Sequence, residues 1–170
     1  MLKLATLGHK NVYDDLSYFW LLQKLISNKV DTQKADLLFH QIKLVTRHHP
    51  AIESLYSLAC FVLALDYSRP ELCEPIAQDG IQTFPDNWTL PAIVGYMHAF
   101  LLNNPLKAAF YYRKAAEKPK CPPYIAKLSQ SLLDHRLGNM DREGTIRAII
   151  EGAEDHDFRD FLMKYFEQHR

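Results

Sequence analysis

The 170-residue chain has only 6 glycines, 3 cysteines and no net charge, with Lys plus Arg and Asp plus Glu both at 20. Each shortage excludes a class of function. So few glycines leave little room for the backbone loops that cradle phosphates, and no Gly-rich phosphate loop or nucleophile elbow is found. The balanced charge argues against a nucleic-acid binder, which normally carries a basic excess. Cys60, Cys73 and Cys121 form no closely spaced pair, so neither a disulfide framework nor a zinc ribbon is expected. No apolar run approaches the roughly 20 residues of a membrane span. The segment from Met1 to Lys10 is too interrupted for a signal-peptide core. The expectation is a cytoplasmic protein with reduced thiols that act as small buried hydrophobes. Alternating β-branched runs are also missing, so the fold class expected is all-α.

What the chain does have is 48% apolar residues and nine prolines, which divide it into apolar segments of helical length. Helices are expected at 14–28, 32–48, 51–66, 70–84, 88–103, 105–117, 123–137, 141–153 and 157–168, about nine in all. Leu37, Leu38, Ile42 and Val45 fall on one face of the second. Pro75 should kink or delay the fourth, and Asp86 and Asn87 should cap the fifth. The last carries Phe158, Phe161, Leu162, Tyr165 and Phe166 on one side.

An internal period runs through this pattern. Pro50 and Pro85 lie 35 residues apart, and Pro119 follows 34 later. Leu38, Cys73 and Ala108 are spaced by 35, as are Ile42, Ala77 and Tyr112, and Val45, Gly80 and Ala115. Within each unit these positions fall at offsets of 4 and 3, one face of a helix. Leu25, Cys60 and Gly95 repeat at 35 in the alternate helices. Small residues at such positions let neighbouring helices approach closely.

A helix–turn–helix period of about 34 residues resembles the tetratricopeptide repeat. Gly95 followed by Ala108-Ala109-Phe110-Tyr111-Tyr112-Arg113-Lys114-Ala115, with Pro119 beyond, is similar to that family's signature, though Gly95 to Ala108 is one residue longer than usual. In the preceding unit Cys60 stands where glycine is common. The segments Asp86-Asn87-Trp88-Thr89-Leu90-Pro91 and Pro122-Pro123-Tyr124-Ile125-Ala126-Lys127-Leu128 are similar to a bacterial subgroup of the family. The resemblance covers most of the chain, with sharp motifs in two units. It implies a single TPR-like helical-repeat domain over 1–170, with units at about 16–50, 51–85, 86–120 and 121–155 and a capping helix at 157–168.

The resemblance further implies that first helices line a concave groove. Phe61, Leu65, Tyr96, Phe100, Tyr124, Lys127 and His135 are then the candidate partner-binding residues. Leu38, Cys73, Ala108, Ala77, Tyr112, Gly80, Ala115 and Gly95 are the candidate repeat-packing residues. Such a groove suits an amphipathic helix or an extended peptide with apolar anchors. The implied role is a non-catalytic adaptor for another protein or peptide, of the kind found in bacterial motility, pilus, secretion or cell-polarity machinery, sometimes beside a small GTPase. Tyr96 and Phe100 are equally readable as core, since an aromatic stripe at helical spacing is usually buried. A homo-oligomer assembled through the C-terminal aromatic helix is the first alternative. An all-α enzyme with converging histidines and carboxylates is the second.

No metal or cofactor is expected. His40 and His48 lie two helical turns apart, about 12 Å, too far to share one ion. The remaining histidines have no ligand spacing. The acidic run Glu151, Glu154, Asp155 and Asp157 lacks the alternation of a calcium loop.

Overall fold

The structure, a computed structural model, describes residues 34–133, 142–151, 159–160 and 163–164. The expected helix at 14–28, most of that at 157–168 and candidate site residue His135 lie outside them. Among the described residues every regular element is helical: α1 (Ala35–His48), α2 (Glu53–Phe61), α3 (Cys73–Thr83), α4 (Thr89–Phe100), α5 (Pro105–Ala116), α6 (Pro123–Leu133) and α7 (Arg142–Glu151). No described helix is long and apolar enough to cross a membrane.

The boundaries follow local chemistry. Asn87 Oδ1 accepts a hydrogen bond from the Leu90 N–H at 2.8 Å at the start of α4. Asn104 Oδ1 accepts from the Lys107 N–H at 3.1 Å, and Pro105 fills the first position of α5, where its missing N–H costs nothing. Pro75 delays its helix instead of kinking it. The chain makes a 3₁₀ turn at Pro70–Leu72, and α3 begins at Cys73 with Pro75 in the first turn. The expected helix at 51–66 is not uniform, since α2 gives way to a π-helical stretch at Val62–Asp66 before Ser68 reverses the chain with a φ of 54°. On α1, Leu38, Ile42 and Val45 are buried, but Leu37 faces outward and is 53% exposed.

Consecutive helices pack against one another from α2 through α6, and α7 returns to pack on α4. The helices differ in kind. From Leu55 to Ala64 and from Thr89 to His98 every residue is buried. A helix apolar on all sides belongs inside a bundle, and α2 and α4 occupy that place. The helices α1, α3 and α5 are amphipathic, with one buried stripe each.

Five side-chain contacts between neighbouring elements recur at nearly one spacing, while Glu74–His98 and Tyr124–Thr145 are 24 and 21 residues apart. Asp36 pairs with Arg69 at 3.1 Å, Lys43 with Asp79, Glu53 with Asn87, Glu74 with Lys107 at 3.0 Å and Gln78 with Tyr111 at 3.3 Å. The separations along the chain are 33, 36, 34, 33 and 33 residues.

One expectation about the thiols is overturned. Cys60 and Cys73 form a disulfide that ties the end of α2 to the start of α3, with 4.5 Å between their Cα atoms. Both are fully buried. Gly95 and Ala108, one period on in the sequence, are likewise 13 residues apart. Cys121 is the one free thiol, and burial pushes it up to about 11.

Candidate functional site

The residues expected to line a groove separate into two groups. Phe61 and Tyr96 are 2% and 0% exposed, inside the cluster that also holds Ile93, Tyr112 and Leu128. They are core, which corrects their assignment to an open binding surface. The physical reason is that α4 is enclosed by α3, α5 and α7, so the face that a groove would need is covered. Leu65, Phe100 and Tyr124 are half-buried at the margin of the same cluster, and Lys127 is exposed. Phe100 stands 5.0 Å from the Tyr96 ring, between core and solvent. The Tyr124 hydroxyl lies 2.9 Å from Thr145 Oγ1, which fastens α6 to α7.

The candidate repeat-packing residues Leu38, Cys73, Ala108, Ala77, Tyr112, Gly80, Ala115 and Gly95 are all buried, with Ile42 and Val45. The two glycines sit at close approaches. A Cβ at Gly95 would lie 2.9 Å from the Tyr112 ring, and one at Gly80 would lie 2.8 Å from Leu90 and 2.9 Å from Tyr56. Tyr112 is enclosed so completely that its hydroxyl has no hydrogen-bond partner, and burial beside Tyr96 and Tyr124 raises it well above the ordinary phenol range.

A cluster of titratable groups that sequence reasoning missed lies between α3, α4 and α5. Glu74 accepts from the Tyr111 hydroxyl at 2.8 Å and from Lys107 Nζ at 3.0 Å, and its Oε2 lies 2.9 Å from His98 Nε2. A carboxylate only accepts, so Nε2 carries the hydrogen, and the buried Nδ1 is left without a partner. His98 also stacks on Tyr111 with ring centroids 5.8 Å apart. Burial alone would raise the Glu74 carboxyl, but the bonds from Tyr111, Lys107 and His98 outweigh it and hold the group below its usual range. Both Glu74 oxygens are engaged, so the group pins three helices together. The signal for it lies in the spacing: Glu74 and Lys107 are 33 residues apart, close to the 34- and 35-residue intervals between the prolines.

Two cavities open elsewhere. One of about 410 Å³ lies where the inter-helix turns meet, between Glu53, Phe84, Asp86, Trp88 and Lys120. The other, about 310 Å³, lies beside Lys43, Arg47, Tyr56 and Asp79. Neither is lined by the Glu74 cluster. Among the described residues, no three His, Cys, Asp or Glu side chains are arranged to hold a metal ion.

No family model, curated protein or solved structure matches the chain.

Proposed function

We propose that this chain is a non-catalytic adaptor, a stack of TPR-like helical hairpins that holds a partner protein or peptide. The observation that carries the reading is the ladder of polar contacts one period apart, from Asp36–Arg69 to Gln78–Tyr111. Nearest-neighbour contacts of constant spacing are what stacked equivalent units make. The buried triplets in phase with that ladder point the same way. Such stacks serve chiefly as interaction surfaces, and the saturated Glu74 cluster is a structural brace on this reading.

With Phe61 and Tyr96 in the core, the binding surface reduces to a rim made by Leu65, Phe100, Tyr124 and Lys127. A buried Cys60–Cys73 disulfide suits an oxidising compartment better than the cytoplasm expected from the sequence. A bacterial motility, pilus, secretion or cell-polarity role rests on the resemblance alone.

The test is capture of partners from the native host with the tagged full chain, followed by mass spectrometry and repeated with Phe100→Ala and Lys127→Glu. The adaptor reading expects a protein recovered by the wild type and lost with both variants at an unchanged melting temperature. Recovery of the same proteins by wild type and variants alike would remove the rim from the account.

A further inference from the structure

The outer face of α5 carries an exposed stripe, from which Lys107 reaches across to Glu74. Leu106, Lys107, Phe110, Arg113, Lys114 and Glu117 are all exposed, at offsets of 1, 4, 7, 8 and 11 from Leu106. They form one helical face about 16 Å long at a rise of roughly 1.5 Å per residue. Leu106 is 69% exposed and Phe110 42%, two of the four large apolar side chains left open to solvent among the described residues. Lys114 Nζ sits 4.7 Å over the Phe110 ring, a cation held beside the apolar ridge.

The charge here departs from the balance of the whole. The exposed face carries Lys107, Arg113 and Lys114 against the single Glu117, a net +2 in a chain whose total is zero. Lys107 is already bound to Glu74, which leaves Arg113 and Lys114 beside the ridge. An apolar ridge flanked by cations selects a partner with apolar anchors among carboxylates. Nucleic acid offers the charge but gives Leu106 and Phe110 nothing to bury.

We propose that the outer face of α5 is a docking surface for an acidic, amphipathic protein segment, with Leu106 and Phe110 taking its apolar anchors and Arg113 and Lys114 its carboxylates. The surface shares no residue with the rim of Leu65, Phe100, Tyr124 and Lys127, so it is tested separately from the rim.

A phage-displayed library of helical peptides of about 20 residues, each with an apolar stripe and randomised charge, is selected on the full chain. Selected peptides are then titrated by fluorescence anisotropy. The expected peptides carry net negative charge. Their affinity falls at least tenfold with Leu106→Asp or Phe110→Ser, and separately with the paired reversal Arg113→Glu and Lys114→Glu, while the melting temperature stays within a few degrees. Raised salt weakens binding to the wild type. Three results would overturn the proposal. Selected peptides that are neutral or basic and respond instead to Phe100→Ala or Lys127→Glu leave the adaptor reading standing and remove this surface. A concentration-dependent dimer in light scattering, broken by Phe110→Ser, assigns the face to a second copy of the chain. No enrichment of any peptide removes this surface and leaves the adaptor reading to the capture experiment.

Discussion

Gly95 on α4 faces the Tyr112 ring on α5 so closely that a Cβ at residue 95 would lie 2.9 Å from it. Glycine inside a helix normally costs about 1 kcal/mol relative to alanine. At this position overpacking opposes that gain by about 1–3 kcal/mol, because the obstacle is a fully buried ring and not a flexible chain end. Gly95→Ala is therefore expected to lower stability by about 1 kcal/mol net, or a melting temperature lower by roughly 2–4 °C in a domain of this size. Thermal unfolding followed by circular dichroism reads it.

Tyr112 itself buries a hydroxyl without a partner. Leaving a buried polar group unmatched costs about 1–3 kcal/mol. Tyr112→Phe removes the hydroxyl and keeps the ring against Gly95. The variant is expected to be at least as stable as the wild type, with a gain of about 1 kcal/mol in chemical denaturation.

The Glu74 brace has a pH signature. Its native carboxyl titrates below the ordinary value, so its stabilising effect is present above the unfolded carboxylate range and is lost as pH falls through the native pKa. Glu74→Gln is expected to cost about 1–3 kcal/mol at neutral pH. The gap between variant and wild type should close as pH falls below about 4. A constant gap across that range would mean that the negative charge contributes nothing.

Thiol counting tests the disulfide. The chain has three cysteines, and two are joined. Denatured, unreduced protein prepared under oxidising conditions should react as one thiol per chain, that of Cys121. Reduction should lower stability by about 3 kcal/mol, as expected for a loop of about 15 residues.

How far the sequence revealed this molecule depends on the kind of signal. Asn87, Asn104 and Pro105 announce helix starts through local hydrogen bonding, and those starts are where the spacing puts them. The π-helical stretch at Val62–Asp66 left no such mark, because its residues are ordinary helix and core formers. Phe61 and Tyr96 were assigned to a groove by family resemblance, against a cue already present in the chain. From Leu90 to Met97 no charged residue interrupts the helix, so it has no face suited to water. Twelve residues intervene between Cys60 and Cys73, too many for a closely spaced motif, yet Cys60 lies 35 residues before Gly95 and Cys73 lies 35 before Ala108. The basic stripe on α5 was hidden by a net charge of zero, a sum that says nothing about placement.

If neighbouring helical hairpins stack one period apart, zero-length carbodiimide cross-linking of the native full chain registers it. The chemistry joins a lysine amine to a carboxylate only where the two are in contact. Lys43–Asp79 and Lys107–Glu74 cross-links, at separations of 36 and 33 residues, are expected, both lost in denaturant. Cross-links that instead join Lys43 and Lys107 to carboxylates at unrelated separations would contradict it.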